Sequence, residues 1–337
     1  MKAIRIHEPG DISVLRYEEV DVPEPGVGEV RVRLRAAGVN HRDIWVRRGN
    51  FGAFPDPVVP GSDGAGEVDA IGAGVTRWSV GQKVVVNPGI SCGVCVACTS
   101  GDTPACRSFR ILDGTYAEYL VLPEANLAAM PGGLTFAEAA SIGIPYVTAE
   151  DFLVRANALP GQTLLLWGAT GGLGLATLQL AKLRGLRVVA VTRSQSRVDQ
   201  LRQYGADEVI TYSAGDDISD GVMSLTQGRG LDIVVDSLGR ESFAQSLSSV
   251  ARGGVIVTVG STTGGQVQMD LGRLFRHRVT LLGAFMGSGS ILPRLLPLFA
   301  RGVLVPVIDN SFPLEQADQA HDQMENHGVF GKLILTM

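Results

Sequence analysis

The chain has 337 residues, more than one compact domain ordinarily holds, so two domains are expected. Its 29 basic and 34 acidic residues leave a formal charge of −5 with no long run of either sign, which argues against a nucleic-acid surface or a polybasic membrane anchor. The opening MKAIRIHEPG lacks the apolar core of a signal peptide and no apolar stretch is long enough to span a bilayer, so a soluble, cytosolic protein acting on small molecules is expected.

From Met1 to about Leu122 the near-alternating segments KAIRI, EVRVRLRAA and GEVDAIG predict short strands. Pro23, Pro25, Gly26, Gly28, Gly72 and Gly74 punctuate them, and together they imply an all-β N-terminal unit. Residues 135–153 turn helical, with Thr135 and Glu138 placed as a capped start. After Gly161, apolar runs at 163–167, 187–192, 208–212, 231–236, 255–259 and 279–282 read as buried strands. Helix candidates such as 198–204 and 241–250 separate them, and six such runs fit a doubly wound parallel sheet. Helices are expected at 291–300 and 314–326, then a final strand at 331–336 that returns to the first domain.

The most informative stretch runs from 163 to 192. An apolar run enters a turn, GATGGLG, in which Gly168, Gly171, Gly172 and Gly174 leave the backbone bare, and a helix-like segment follows. A diphosphate can approach such a turn and meet the N-terminus of the helix, where unpaired N–H groups and the helix dipole favour negative charge. Thr170 and Leu173 lie on the same turn and join the candidate cofactor contacts. The strand before and the helix after supply the context that the glycines alone would lack.

An NAD site places an acidic residue at the end of the second strand to hold the ribose diol. Here that position is Thr192, followed by Arg193, Ser194, Ser196 and Arg197. A guanidinium and hydroxyls suit the 2′-phosphate of NADPH, which a carboxylate would repel, so NADPH is the expected cofactor. Tyr212, at the end of the third strand, is placed either beside the adenine or in the core.

All four cysteines fall in one segment, Cys92, Cys95, Cys98 and Cys106. The spacing C-x2-C-x2-C-x7-C gathers four soft thiolates around one point and predicts one structural zinc. Disulfides would need an oxidising compartment, and four unligated thiols are the plain alternative. A shell of four cysteines leaves no open position for substrate, so this metal would brace a loop.

The order of parts resembles the medium-chain dehydrogenase/reductase superfamily, within it the quinone reductase-like, zinc-type alcohol dehydrogenase-like branch that retains a four-cysteine zinc lobe. The resemblance rests on AAGVNHRDIWVRRG, PGSDGAGEV, NPGISCGVC, IGIPYVTA, GATGGLG, DSLG and the terminal FGKLIL, and covers essentially the whole chain. It implies a GroES-like β-barrel catalytic domain (1–145), a Rossmann NADP-binding domain with a six-stranded doubly wound sheet (146–286) and a C-terminal return (287–337), with hydride transfer at the cleft between domains. By resemblance, Leu238 and Gly239 approach the adenosine ribose, Val259, Gly260 and Ser261 line the nicotinamide ribose, Thr148 and Phe285 lie near the nicotinamide, and Lys332 reaches the cofactor from the tail. Dimerisation through the edge strand 279–282 is also implied.

The catalytic zinc of the alcohol dehydrogenases in that superfamily needs a cysteine, a histidine and a further cysteine or acid at three places that here read Asn40, Ser62 and Ile144. These hold zinc poorly, and Asp43 and Asp63 nearby read as hydrogen-bonding partners. The expected activity is therefore NADPH-dependent reduction of a quinone or α,β-unsaturated carbonyl compound without a catalytic metal. The Asn40 amide is the candidate for polarising the carbonyl, and Tyr146 or water for supplying the proton. His41 and Arg42, read as a loop, either touch the diphosphate or are solvated, and Trp45, Phe51 and Ile144 suggest an apolar acceptor pocket. Two alternatives stand beside this reading: a metal-dependent alcohol dehydrogenase using Asp43 or Asp63, and a non-catalytic NADPH-binding protein.

Overall fold

The computed structural model describes residues 1–51 and 57–337, and the chain divides into two units, Met1–Val147 with Ser288–Met337, and Thr148–Gly287. The first opens with the antiparallel pair β1 (Lys2–Arg5) and β2 (Arg16–Glu19). The long strand β3 (Glu29–Val39) follows, burying alternate residues Val30, Val32 and Leu34, as a half-covered strand should. Next come helix α1 (His41–Arg47), β4 (Asp63–Ile71), β5 (Lys83–Val86), β6 (Gly89–Ile90), the single turn α2 (Val96–Thr99) and β7 (Arg110–Ile111). Strands β8 (Tyr119–Pro123) and β9 (Leu127–Ala129) lead into α3 (Phe136–Ala140) and α4 (Gly143–Arg155). The expected cap at Thr135 is present, with Glu138 N–H donating to its hydroxyl at 3.2 Å and its own N–H donating to Glu138 at 2.7 Å.

One expectation for this unit fails: it is not all β up to Leu122, because α1 follows β3 directly and carries His41 and Arg42. The Asp43 carboxylate accepts the Asn40 N–H at 2.8 Å, satisfying a backbone donor at the helix start.

The second unit alternates strand and helix: β10 (Thr163–Leu166), α5 (Gly172–Leu183), β11 (Arg187–Thr192), α6 (Val198–Gln203), β12 (Glu208–Thr211) and α7 (Ser219–Leu225). It continues with β13 (Leu231–Asp236), α8 (Phe243–Ser249), β14 (Val250–Thr258), α9 (Leu271–His277) and β15 (Thr280–Gly283). All six strands are parallel in the order β12-β11-β10-β13-β14-β15. Such an order reverses between β10 and β13, and the crevice beyond the carboxyl ends of those strands is where this topology binds ligands. Leu165, Val189, Val234 and Ile256 from four adjacent strands join Trp167 in one core cluster, which explains why these strands read as continuous apolar runs.

The chain then re-enters the first unit through α10 (Ile291–Ala300), β16 (Ile308–Pro313), α11 (Ala317–Asp322) and β17 (Lys332–Thr336). The helix expected at 314–326 is a 3₁₀ turn, α11 and a π turn in succession. β17 lies between β16 and β3, parallel to the first and antiparallel to the second, with Leu333 opposite Val39 and Leu335 opposite Ala37. The whole sheet runs β16-β17-β3-β4-β5-β9, with β8 also paired to β3. Among the described residues no helix is long and apolar enough to cross a membrane.

Candidate functional site

In the second unit the glycine turn is shaped by its own packing. Gly168 has φ +69°, and a Cβ there would lie 2.6 Å from the Ser237 hydroxyl beyond β13. A Cβ at Gly174 would strike the Gly168 carbonyl at 2.3 Å and Ala169 at 2.6 Å, so α5 sits directly against the turn. Gly171 differs, since a Cβ there would meet nothing nearer than 3.9 Å. It is the N-cap of α5 with no side chain capping the helix, so the first-turn N–H groups of Gly172, Leu173 and Gly174 face a bare approach. Thr170 lies on the same turn. These residues fit a diphosphate.

At the end of β11, buried Thr192 accepts the Ser194 N–H through its hydroxyl at 3.1 Å, and the Ser194 and Ser196 hydroxyls are 2.9 Å apart. Arg193 is exposed and makes no hydrogen bond or ion pair among the described residues, whereas Arg197 donates to Gln200 at 3.0 Å. The donor set there, two guanidinium groups and two hydroxyls without a carboxylate, matches a phosphate. Tyr212 packs edge-on to Trp167, with ring centroids 5.4 Å apart, which ties it to the core; burial raises its phenol above the usual range.

After β13 the DSLG turn is organised by Asp236, which the sequence reading missed. Its Oδ1 accepts from the Leu238 and Gly239 N–H groups, each at 3.0 Å, and from Ser242 at 2.6 Å, while Oδ2 accepts from Ser246 at 2.7 Å. The signal was an acid at a strand end followed by serines at intervals of six and ten. A Cβ at Gly239 would lie 2.5 Å from the Gly264 carbonyl, and one at Gly260 2.8 Å from that of Ser237, so both glycines admit neighbouring backbone. Val259 is half-buried and Ser261 exposed at the end of β14, and Phe285 is exposed just beyond β15. Thr148 is buried, its hydroxyl 3.8 Å from the Met286 sulfur.

In the first unit, Asn40, Asp63, the Ile144 N–H and Lys332 meet in one buried cluster. The Lys332 ammonium donates to the Val39 carbonyl at 2.8 Å, to Asn40 Oδ1 at 2.7 Å and to Asp63 Oδ2 at 3.2 Å. Asn40 Nδ2 donates to Asp63 Oδ2 at 2.9 Å and to the Gly38 carbonyl at 3.3 Å. An ammonium only donates and a carboxylate only accepts, so this orientation of the amide is the one that pairs both ends. Asp63 Oδ1 accepts the Ile144 N–H at 2.7 Å.

Three expectations are corrected by this geometry. Both N–H bonds of the Asn40 amide are spent, leaving none to aim at a substrate oxygen. Lys332, expected to reach the cofactor, is buried with its three donors engaged by Val39, Asn40 and Asp63. Tyr146 is buried, gives its proton to the Val305 carbonyl at 3.1 Å and stacks edge-on against Phe299. Arg42 is likewise committed, bidentate to Asp113 and 3.1 Å from Ser62. Residues 40, 62 and 144 do not fit a catalytic metal: the Asn40 oxygen is taken by an ammonium, Ser62 receives Arg42, and Ile144 offers a backbone donor. Trp45 and Phe51 meet edge-on at 6.4 Å, with Phe51 largely exposed.

A second chain of hydrogen bonds behind α1 was not foreseen. Arg47 Nη1 lies 3.2 Å from His321 Nδ1, His321 Nε2 lies 3.3 Å from the Tyr116 hydroxyl, and that hydroxyl lies 3.0 Å from Asp43 Oδ2. Arginine is always a donor, so Nδ1 accepts, Nε2 carries the hydrogen, and donation runs Arg47, His321, Tyr116, Asp43. Burial raises the Asp43 carboxyl to about 7 and lowers the His321 imidazole to about 3.

The four cysteines stand together, with every pair of sulfurs within 4.8 Å. Cys95 and Cys98 are 3.6 Å apart and Cys92 and Cys98 3.9 Å; a zinc tetrahedron with bonds of about 2.3 Å has edges of about 3.8 Å. Hydrogen bonds from the N–H groups of Val94 and Cys95 draw the Cys92 thiol down, while, against the pull of the Cys98 N–H, sharing hydrogen bonds with its neighbouring sulfurs pushes the Cys95 thiol up, as expected for thiols crowded at one point without a cation. The set fits a closed structural zinc.

Comparison with known proteins agrees with this architecture. Residues 26–132 match the family described as "Alcohol dehydrogenase GroES-like domain", and residues 172–301 the family described as "Zinc-binding dehydrogenase". The chain is 31% identical to an "NAD-dependent alcohol dehydrogenase" of Sulfurisphaera tokodaii, over 99% of both chains. It is 32% identical to a "Quinone oxidoreductase" of Pseudomonas aeruginosa, again over 99% of both. A crystal structure of an "NAD-dependent alcohol dehydrogenase" superposes with a TM-score of 0.96 at 40% identity over the full length of each chain. With a GroES-like sheet, a six-stranded parallel Rossmann sheet and full-length relatives of both names, the chain belongs to the medium-chain dehydrogenase/reductase superfamily of oxidoreductases.

Proposed function

We propose that this oxidoreductase is an NADPH-dependent reductase of quinones or α,β-unsaturated carbonyl compounds that works without a catalytic metal. The observation that carries the reading is the commitment of Asn40, Asp63 and Lys332 to one another, which leaves these residues unsuited to hold a Lewis acid. An alcohol must be deprotonated and a simple ketone strongly polarised before hydride moves; an electron-poor quinone or enone needs least help of that kind.

NADPH supplies the hydride when bound. The turn from Gly168 to Gly174 would hold its diphosphate on backbone N–H groups, and Arg193, Ser194 and Arg197 would hold the 2′-phosphate by charge-assisted hydrogen bonds. Leu238, Gly239, Val259, Gly260 and Ser261 lie at the carboxyl ends of β13 and β14 and would meet the rest of the dinucleotide there, with Thr148 and Phe285 as further contacts. Trp45 and Phe51 offer apolar surface to a hydrophobic acceptor. Since the Tyr146 proton is held by Val305, the proton that completes reduction comes from water in this reading.

The test is an NADPH-oxidation screen over quinones, enones and aldehydes, with NADH in parallel and zinc measured on the same sample. Turnover of quinone or enone with one zinc per chain supports the reading. Chelator-sensitive alcohol oxidation with two zincs per chain would replace it by the activity named for the alcohol dehydrogenase relatives. Exposed Thr280 and Leu281 at the sheet edge further suggest a homodimer joined along β15, which a solution mass measurement tests.

A further inference from the structure

The cluster around Lys332 is a built cage, and its walls show what it is built for. Three oxygens, from the Val39 carbonyl, Asn40 and Asp63, surround the ammonium at 2.7 to 3.2 Å. Asp63 has no exposed surface and Lys332 almost none, so the charges see each other rather than water. Two glycines make the room. A Cβ at Gly38 would lie 2.4 Å from the Ala140 carbonyl, 3.1 Å from Asp63 Cβ and 3.2 Å from Lys332 Cε, so Gly38 admits the α3 backbone as well as the cage, and one at Gly143 would lie 2.3 Å from Asp63 Oδ1. Asp63 also accepts from Asn40 Nδ2 on Oδ2 and from the Ile144 N–H on Oδ1, which orients the carboxylate independently of the cation.

We propose that the Lys332 ammonium is the resident cation of a hard-oxygen cage formed by the Val39 carbonyl, Asn40 and Asp63, and that its covalent tether bars an exchangeable divalent cation from this position. A carboxylate, an amide oxygen and a backbone carbonyl are donor types that calcium takes; the oxygens stand at ammonium hydrogen-bond lengths of 2.7 to 3.2 Å, so a bare calcium ion would draw them in to about 2.3–2.6 Å and complete its shell with water. The ammonium satisfies the same three oxygens at no cost in recruitment, because it arrives on β17 with the fold. Asn40 is thereby held by charge from one side and by Asp63 from the other. The inference rests on the metal-free reading of this site, and the thermal-unfolding arms test it without any measurement of turnover.

Removing the tether turns the cage into a site that soluble cations can fill. The experiment follows thermal unfolding of the full-length wild type, K332A and K332A/D63N against calcium chloride and, separately, ethylammonium chloride. Binding to the native state alone raises Tm in a saturable way. K332A should melt below the wild type and recover with either cation, with an apparent calcium affinity at least about 100-fold above any wild-type response, and K332A/D63N should lose that recovery. A wild-type response equal to that of K332A, or a folded K332A with no saturable response, overturns the proposal. If K332A does not fold, zinc loading of the wild type decides. One zinc per chain at saturation supports a closed cage, and a second zinc that D63N abolishes overturns it.

Discussion

Tyr116 donates its hydroxyl to Asp43 Oδ2 at 3.0 Å while receiving the His321 N–H on the same oxygen at 3.3 Å, in a place where neither side chain is exposed. The hydroxyl is thus both donor and acceptor. Replacing Tyr116 with phenylalanine leaves the ring in place and strips one buried acceptor from His321 and one donor from Asp43, whose Oδ1 has no partner among the described residues. Y116F should cost about 1–3 kcal/mol of stability, measured as a lower denaturant midpoint with unchanged m. A loss under about 0.5 kcal/mol would mean that the chain of donors from Arg47 carries no weight.

The two ends of that chain respond to pH in opposite senses. Native Asp43, raised from 3.8 to about 7, keeps a proton that the unfolded chain releases, so its contribution to stability falls as pH rises through that window. Native His321, lowered from 6.5 to about 3, lacks a proton that the unfolded chain binds, so its contribution falls as pH drops through its own window. The windows overlap and the slopes oppose, so the wild type conceals both. D43N should uncover a loss of stability on acidification below 6.5, and H321N a loss on going from about 4 to about 7, each at most about 1.4 kcal/mol per pH unit. Denaturant midpoints across pH decide it; parallel profiles for the two variants would contradict the assignment. Arg42, Lys332 and Asp113 act on Asp43, and Arg47 and His41 on His321, and all remain in both variants.

The glycines of the cofactor turn separate into two kinds. Gly174→Ala drives a methyl into the Gly168 carbonyl and Ala169, so it should destabilise the fold by about 1–3 kcal/mol. Gly171→Ala meets no protein atom closer than 3.9 Å and has φ −76°, so Tm should stay within a few degrees. If a diphosphate lies over that position, the same substitution should weaken NADPH binding by about tenfold or more, read by fluorescence titration. Equal NADPH affinity in G171A and the wild type would move the diphosphate off this turn.

Cofactor choice should lie in Arg193 and Arg197. Each charge-assisted hydrogen bond to a 2′-phosphate is worth about 1.5–3 kcal/mol, so R193A/R197A, which removes two, should lower kcat/KM for NADPH by about 100-fold or more and leave NADH nearly unchanged. Thr192→Asp should add preference for NADH. An unchanged NADPH-to-NADH ratio in both variants would leave the choice to other residues.

What was legible in the sequence was local. The turn from Gly168 to Gly174, the four cysteines within 15 positions and the six apolar strands each declare themselves in one short window, and the structure assembles all of them. Thr135 and Glu138 gave away a helix start for the same reason, while Asn40 and Asp43, an equivalent pair, were hidden behind a reading of His41 and Arg42 as loop. The seven-residue helices α7 and α9 each contain a glycine, which weakens the periodic signal. The roles of Asn40, Lys332 and Tyr146 were out of reach because their partners are distant in the chain. Lys332 meets Asn40 across 292 positions, and Tyr146 meets Val305 across 159. A sequence shows that such groups are polar, but not that their hydrogen bonds are already taken.

The strand pairing that carries Lys332 also orders the birth of the fold. β17 closes against β3 only after the whole intervening chain has been gathered, and a contact between Ala37 and Leu335 is about as remote as this polypeptide permits. Loop closure over an unfolded span is slow, whereas the residues from Thr148 to Gly287 are contiguous and can collapse by themselves. The inserted unit should therefore fold early, with hydrogen-exchange protection appearing there first. The first unit should acquire its last central strand late, leaving Asp63 without its cation until β17 arrives.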